Sequence, residues 1–170
     1  MVCITEEGVA RGGPTCKARG VTQTLFEFAG GEAAFRALAA SHHRRCLEDP
    51  ELNHPFSHPD QDPHHVERLA AYWAEVMGGP PRYSHAYGDQ FGMLKMHAGN
   101  GDLSDLGRRF LECFVKAADD AALPDDPAFR TALRGYMEWA VGDVLSYSER
   151  RKRVPRSVQM PHWGWDGLET

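Results

Sequence analysis

The chain has 170 residues, of which 42% are hydrophobic and 25% charged, which predicts one soluble domain with a core large enough to enclose a cofactor. Its formal net charge of −5 argues against binding to nucleic acid. No apolar run approaches the ~20 residues of a membrane span, and the first residues lack the features of a secretory signal. We therefore expect a cytoplasmic protein that binds neither nucleic acid nor membrane.

The cysteines argue against several common cofactor sites. Cys3, Cys16, Cys46 and Cys113 form neither a CxxC pair nor a CxxCH motif. Their spacing disfavours a structural zinc site, an iron–sulfur cluster and covalently attached c-type haem. Cys46 and Cys113 lie at apolar helix positions, where we expect reduced, buried thiols.

Composition divides the chain into three segments. Residues 1–22 contain several glycines and a proline without apolar periodicity, which predicts a flexible N-terminal arm. Residues 23–150 carry the helical patterns and form the expected domain. Residues 151–170 form a C-terminal extension.

The domain begins with two predicted helices separated by glycines. A short helix ends at Gly30–Gly31, and a second helix begins at Glu32. The second helix continues to Asp49–Pro50, and His43 lies just beside its apolar face. That face repeats with the period of an α-helix, and its residues are Phe35, Leu38, Ala39, His42 and Cys46.

A short apolar turn from Leu52 to Phe56 leads to a strongly amphipathic helix. Asp62 and Pro63 have the pattern of an N-cap followed by proline at the first helical position. Gly78–Gly79 ends the helix. Its inward positions repeat at three and four residues, and they are His65, Leu69, Tyr72, Trp73, Val76 and Met77. The first inward side chain is therefore a histidine.

A further histidine follows a segment without a clear period, residues 82–92. His97 comes after the apolar turn Met93–Met96 and immediately before glycine-rich sequence. Two long helices follow, separated by Pro124–Pro127. Their inward residues are Leu103, Leu106, Phe110, Cys113, Phe114 and Ala117, then Phe129, Leu133, Tyr136, Met137, Ala140 and Val144. No strand period is found, so we predict an all-α fold.

The C-terminal region has a basic run and an apolar tail. Arg150–Arg153 is predicted to complement the dipole at the end of the last helix rather than to bind phosphate. Trp163 and Trp165 follow a proline, and such side chains seldom stay in water. We expect them to dock on the domain or on the partner subunit of a homodimer, and both alternatives stay open.

Histidine spacing restricts the kind of metal site. His42–His43 and His64–His65 are adjacent pairs, whose side chains diverge by about 100° on a helix and cannot bind one ion together. The chain has no HExxH motif and no phosphate-binding glycine loop. A single histidine on a glycine-bounded turn among apolar helices instead favours a planar apolar cofactor whose metal takes one imidazole from the protein.

Several motifs occur together in one known family. They are Phe28-Ala29-Gly30-Gly31 with Phe35, Glu48-Asp49-Pro50-Glu51-Leu52 with Phe56, Glu67-Arg68-Leu69, Gly78-Gly79-Pro80 with Tyr83-Ser84, and His97-Ala98. On these residues, from about 24 to 148, the chain resembles the truncated (two-over-two) haemoglobins, specifically their second group. The resemblance implies a truncated two-over-two globin fold around a haem b, flanked by N- and C-terminal extensions.

The resemblance also implies roles for individual residues. His97 matches the proximal ligand of the haem iron, and Phe56 matches the aromatic residue that packs on the haem. His43 matches the distal position of the second helix, where the group usually has tyrosine. His65 and Leu69 match the two ligand-facing positions of the distal helix.

Further positions imply contacts with the haem. Arg68 and Tyr83 match positions that commonly contact haem propionates, and Lys95 is a third candidate by its chemistry. Phe110 falls where the group usually has tryptophan. Trp73, on the inward face of the distal helix, completes the set of candidate cofactor contacts.

Two departures from the family pattern bear on function. The usual tyrosine and tryptophan are absent, and up to two imidazoles take their place. An imidazole can donate a hydrogen bond, act as a general base near neutral pH or bind iron. His42 occupies a packing position where the family carries phenylalanine, so we expect His43 rather than His42 to face the pocket.

Two main hypotheses follow. In the first, the chain is a haem b protein that binds dioxygen, nitric oxide or related small ligands at iron held by His97. In the second, it is a peroxidase-like or nitric-oxide-detoxifying haem oxidoreductase in which His43 and His65 are catalytic. The chain has no flavin motif, so such an enzyme would need an external reductase. A haem-free interaction module that uses the tryptophan tail is a third alternative.

Overall fold

The fold is taken from a computed structural model, which describes residues 23–57, 62–149 and 152–169. The expected N-terminal arm, residues 1–22, lies outside the described residues. The described helices are α1 (Leu25–Ala29), α2 (Glu32–Glu48), α3 (Asn53–Phe56), α4 (His65–Val76), α5 (Arg82–Ala86), α6 (Gln90–His97), α7 (Ser104–Asp120) and α8 (Pro127–Ser146). A short antiparallel hairpin follows, β1 (His162–Gly164) and β2 (Gly167–Glu169). Over these ranges no helix has the length and apolar character to cross a membrane.

The predicted glycine junction between α1 and α2 is confirmed. Thr24 and Glu27 form a capping box that begins α1. Gly30 and Gly31 then have φ angles of 108° and 74°, a region that side chains with a Cβ rarely adopt. The chain can therefore end one helix and begin the next without a loop.

The core lies where α2 packs against α4 and α7, and where α7 packs against α8. Its largest buried side chains come from the predicted inward faces, and they include Phe35, Leu38, Trp73, Val76, Met77, Phe114, Phe129, Tyr136 and Met137. Each such side chain contributes about 1.5–3 kcal/mol by leaving water. Cys46 and Cys113 are free, buried thiols, as predicted; Cys3 and Cys16 lie outside the described residues.

Helix boundaries differ from the sequence prediction at three places. Helix α4 begins at His65 rather than Pro63, because Asp62 caps a preceding turn in which its Oδ1 accepts the His64 amide at 2.8 Å. The segment without a clear period contains all of α5 and the start of α6. Helix α8 ends at Ser146, before the basic run, of which residues 150 and 151 are not described.

The predicted all-α fold is confirmed, and the hairpin is a small addition to it. Each of its strands has three residues, which is too short to show a strand period in the sequence. The hairpin seats both tail tryptophans on the same chain. The indole of Trp163 donates to the Ala132 carbonyl at 2.9 Å, and that of Trp165 donates to the Gln23 carbonyl at 2.8 Å. Of the two alternatives for the tail, the structure shows docking on the domain.

Candidate functional site

Helix α6 presents His97 on the same face as two buried side chains. Asp89 begins this helix by accepting the Gly92 amide at 2.7 Å. Gln90, Leu94 and His97 then follow at i, i+4 and i+7, which is one helix face. Gln90 and Leu94 are 3% and 0% exposed, yet His97 is exposed. The inner face of α6 therefore opens onto accessible space where it reaches the histidine.

One ring nitrogen of His97 is held by the backbone. Its Nδ1 lies 2.8 Å from the carbonyl oxygen of Met93, one turn earlier. A carbonyl only accepts, so Nδ1 carries the proton and Nε2 keeps its lone pair. This tautomer and orientation are what a metal-binding histidine requires, because the outer nitrogen is then available as the ligand.

The end of α6 is anchored by backbone hydrogen bonds to the end of α8. The amides of Gly99 and Gly101 donate to the carbonyls of Tyr147 and Ser148 at 3.0 and 3.1 Å. Both glycines have positive φ angles, 75° and 82°, so the chain turns away directly after His97. The glycine-rich sequence that followed the histidine thus fixes its helix in place.

Two imidazoles, on α2 and α4, form a cluster with aromatic rings. The ring centroids of His43 and His65 are 5.3 Å apart, and Phe56 lies 5.9 and 5.6 Å from them. Phe110 stacks on Phe56 at 6.1 Å. In the part of the chain that the structure describes, His43 Nδ1 and His65 Nε2 are buried without a hydrogen-bond partner. Such atoms are costly unless a ligand or water satisfies them.

Burial keeps both imidazoles neutral. It lowers the pKa of His65 from 6.5 to about 4, and the neighbouring His43 and, more weakly, His97 act in the same direction. Burial also lowers the pKa of His43. Near neutral pH each ring therefore carries one N–H donor and one nitrogen acceptor, so the pair can either donate a hydrogen bond or take up a proton.

His42 points away from this pair into the core, as the sequence predicted. It is 0% exposed and packs against Trp73 and Phe110, with ring centroids 5.3 and 4.3 Å away. Its Nε2 donates to the Phe110 carbonyl at 3.3 Å. Burial lowers its pKa to about 3, although this hydrogen bond acts in the opposite direction.

The remaining predicted site residues occupy different environments. Tyr83 is buried, and burial raises the pKa of its hydroxyl, although the nearby Arg68 acts in the opposite direction. Arg68 itself forms an ion pair with Asp62 at 3.1 Å. Leu69 is half-buried beside the core. Lys95 is exposed, with its ammonium 5.9 Å from the centre of a phenylalanine ring.

Trp73 lies deeper than the other candidates. It is 2% exposed, and its ring packs 4.8 Å from that of Phe114 in the core. The structure therefore brings together His43, His65, Phe56 and Phe110, and it leaves Trp73 in the packing behind them.

These residues fit a haem. Such a group needs apolar walls, one protein imidazole as axial ligand and a few polar atoms on its other face. His97 offers a correctly oriented Nε2, while Phe56 and Phe110 offer apolar rings. His43 and His65 offer polar atoms for the other face. Their buried nitrogens are the only histidine atoms among the described residues that are buried without a hydrogen-bond partner.

Sequence reasoning did not foresee two contacts of α6. The hydroxyl of Tyr72 donates to Gln90 Oε1 at 2.7 Å. The guanidinium of Arg156, in the C-terminal extension, lies 5.8 Å from the centre of the Phe91 ring. The sequence did offer a local signal for the start of α6, because aspartate, here Asp89, commonly begins a helix. Spacing alone could not identify Tyr72 or Arg156 as the residues that this helix contacts.

Comparison with known proteins points to one family. The model of the family described as bacterial-like globin matches residues 24–138. The thermostable haemoglobin of Thermobifida fusca is 28% identical, with a TM-score of 0.60 over 72% of this chain and 97% of that chain. The haemoglobin of Chloroflexus aurantiacus is 26% identical, with a TM-score of 0.63 over 73% and 98% of the two chains.

Two further comparisons also find truncated haemoglobins. The group II truncated haemoglobin of Bacillus anthracis is 17% identical, with a TM-score of 0.62 over 81% of this chain and 98% of that chain. A group 1 truncated haemoglobin of Tetrahymena pyriformis is 31% identical over 61 residues, which are 36% of this chain and 50% of the relative. The chain thus spans half the length of that curated relative.

Proposed function

The chain belongs to the bacterial-like globin family, and we propose that it is a cytoplasmic haem b protein whose iron is held by His97 and binds dioxygen, nitric oxide or a related small ligand. Globins carry a haem and bind small diatomic ligands at its iron. Bound haem would supply an iron that His97 could hold and that could bind a small ligand. His43 and His65 then belong to the ligand side of the site.

The observation that carries this proposal is the hydrogen bond from His97 Nδ1 to the Met93 carbonyl, 2.8 Å long. It fixes the ring so that Nε2 is presented as an acceptor. The aromatic pair of Phe56 and Phe110 provides apolar surface for a porphyrin. Arg68 is a candidate for pairing with a propionate, with Tyr83 and Lys95 as further candidates.

The chain's own residues give the ligand side an unusual character. His43 and His65 are neutral and keep buried nitrogens that no described residue satisfies. A neutral imidazole can donate its N–H to a bound small molecule, which slows the departure of that molecule. The two nitrogens are buried and the Phe56 ring lies beside both imidazoles, so the low local dielectric would strengthen each such hydrogen bond.

The test uses the full chain mixed with haem. Wild type is expected to give an intense Soret absorption band, and His97→Gly is expected to lose the spectrum of an imidazole-ligated haem. Added imidazole should restore that spectrum in His97→Gly, because it can occupy the space of the lost side chain. His85→Gly, which removes an exposed histidine of α5, is the matched control. Absence of a Soret band in wild type, or an unchanged spectrum in His97→Gly, would contradict the proposal.

A second candidate function is favoured by the same buried nitrogens. Either ring can accept a proton from a peroxide through its unprotonated nitrogen and return it to the departing oxygen, as in peroxidase-like chemistry. In nitric-oxide-detoxifying chemistry the same rings would instead donate a hydrogen bond to the bound ligand. Electrons for such a cycle would come from an external reductase. Peroxide turnover with a reducing substrate should fall at least tenfold in His43→Ala and His65→Ala, and remain in His64→Ala, an exposed neighbour. Equal turnover in all three variants rules against it.

A further inference from the structure

Helix α6, which carries His97, does not run closely alongside another described helix. Its inner residues Gln90 and Leu94 are nevertheless buried. Its end is fixed by the backbone hydrogen bonds from Gly99 and Gly101 to the end of α8. With that end fixed, contacts near the N-terminus of α6 determine the tilt of the helix.

A buried hydrogen bond acts at that place. The hydroxyl of Tyr72, on α4, donates to Oε1 of Gln90, the first residue of α6, at 2.7 Å. The two side chains are 7% and 3% exposed, so water cannot readily replace either partner. Burial also raises the pKa of Tyr72, which keeps its hydroxyl protonated and able to donate.

The two ends of α6 therefore have different restraints. At its C-terminal end the restraints that tie it to α8 are hydrogen bonds between backbone atoms. At its N-terminal end a buried hydrogen bond joins the side chains of Gln90 and Tyr72, while Arg156 contacts the Phe91 ring from the outside. Helix α4 also carries His65, so the Tyr72–Gln90 bond ties the helices of both sides of the site together.

We propose that Tyr72 and Gln90 are positioning residues for His97: their hydrogen bond sets the tilt of α6 and so the height of the imidazole beneath the haem. Gln90 lies two turns before His97 on the same face, so a rigid helix transmits its position directly to the histidine. The inference rests on the proposed function, in which His97 holds the iron. It assigns a role to two residues that are not among the haem and ligand contacts named above.

The test compares Gln90→Leu, Tyr72→Phe and the double variant in the full chain with haem bound. The readout is the iron–imidazole stretching frequency of the ferrous form, measured by resonance Raman spectroscopy. Both single variants should shift this frequency in the same direction, and the double variant should shift it no further, because all three remove one interaction.

A second readout needs no haem. In the haem-free chain, amide hydrogen exchange in α6 should become about tenfold faster in Gln90→Leu, the equivalent of one lost buried hydrogen bond. Gln159→Leu and Tyr87→Phe make the same changes at an exposed and a half-buried side chain, and neither should alter exchange or frequency.

The outcomes separate the inference from the function on which it rests. If wild type binds haem and both single variants have the same iron–imidazole stretching frequency as wild type, the inference is overturned and the proposed function is left intact. Faster exchange with an unchanged frequency also overturns it, because the bond would then stabilise α6 without positioning His97. A wild-type chain that binds no haem overturns both.

Discussion

Replacing His42 by phenylalanine is expected to make folding stability less dependent on pH. His42 is 0% exposed, and burial lowers its pKa from 6.5 to about 3. The folded protein therefore keeps this ring neutral at mildly acidic pH. The unfolded chain has no such restriction and takes up a proton as the pH falls below 6.5.

The sign and size of the effect follow from proton linkage. Below pH 6.5 the unfolded state binds more protons at His42 than the folded state, so the free energy of unfolding decreases as pH falls. Each pH unit costs about 1.4 kcal/mol. Between pH 7 and pH 5, His42 alone should lower the free energy of unfolding by about 2 kcal/mol. The loss continues until the pH approaches the folded pKa of about 3.

The assay is urea unfolding at pH 7 and pH 5, followed by far-ultraviolet circular dichroism. Wild type and His42→Phe share every other titrating group, so the difference between their pH dependences isolates His42. Wild type should lose about 2 kcal/mol more than the variant between the two pH values. His85→Phe, at an exposed site, should behave as wild type. Equal pH dependence in wild type and His42→Phe would refute the reasoning.

Two further predictions concern packing at the edges of the fold. Gly79→Ala should lower stability by about 1–3 kcal/mol, because its Cβ would lie 2.6 Å from the Ala74 carbonyl oxygen and 2.8 Å from the Phe26 ring; a variant that unfolds at the same urea concentration as wild type would contradict this. Trp165→Phe should cost about 1 kcal/mol through loss of the indole hydrogen bond to Gln23. Urea midpoints measure this loss, and an unchanged midpoint would show that the bond contributes nothing.

Long amphipathic helices and glycine hinges were predictable from the sequence. The apolar repeats of α2, α4, α7 and α8 extend over several turns, so the helical period stands out from chance. Gly30–Gly31 and Gly78–Gly79 marked helix ends because positive φ angles favour glycine, and Gly30, Gly31 and Gly78 adopt them. These features are sufficient to predict the all-α fold from the sequence.

Short elements and long-range pairs were not predictable in the same way. Helices α5 and α6 have five and eight residues, and the hairpin strands three each, so too few positions repeat to reveal a period. Gln90 also places a polar side chain on a buried face, which hides the apolar pattern. Its partner Tyr72 is 18 positions away, and no local rule connects the two.

The site shows the same division. The roles proposed for His43 and His65 came from the family resemblance, while the resemblance and the helical periodicity both indicated that His42 packs in the core. That His43 and His65 lie with their rings 5.3 Å apart depends on how α2 meets α4. Helix spacing within one element cannot supply that contact, because it arises from tertiary packing.

The indole of Trp165 has a consequence for how the domain opens. It bonds to Gln23 across 142 positions of sequence and packs against Phe28 at 5.0 Å. The first helix and the last hairpin therefore share one set of contacts, and neither can fray without exposing the other. Opposite ends of the described chain should thus open as a single cooperative unit, whereas the two ends of an ordinary domain fray independently.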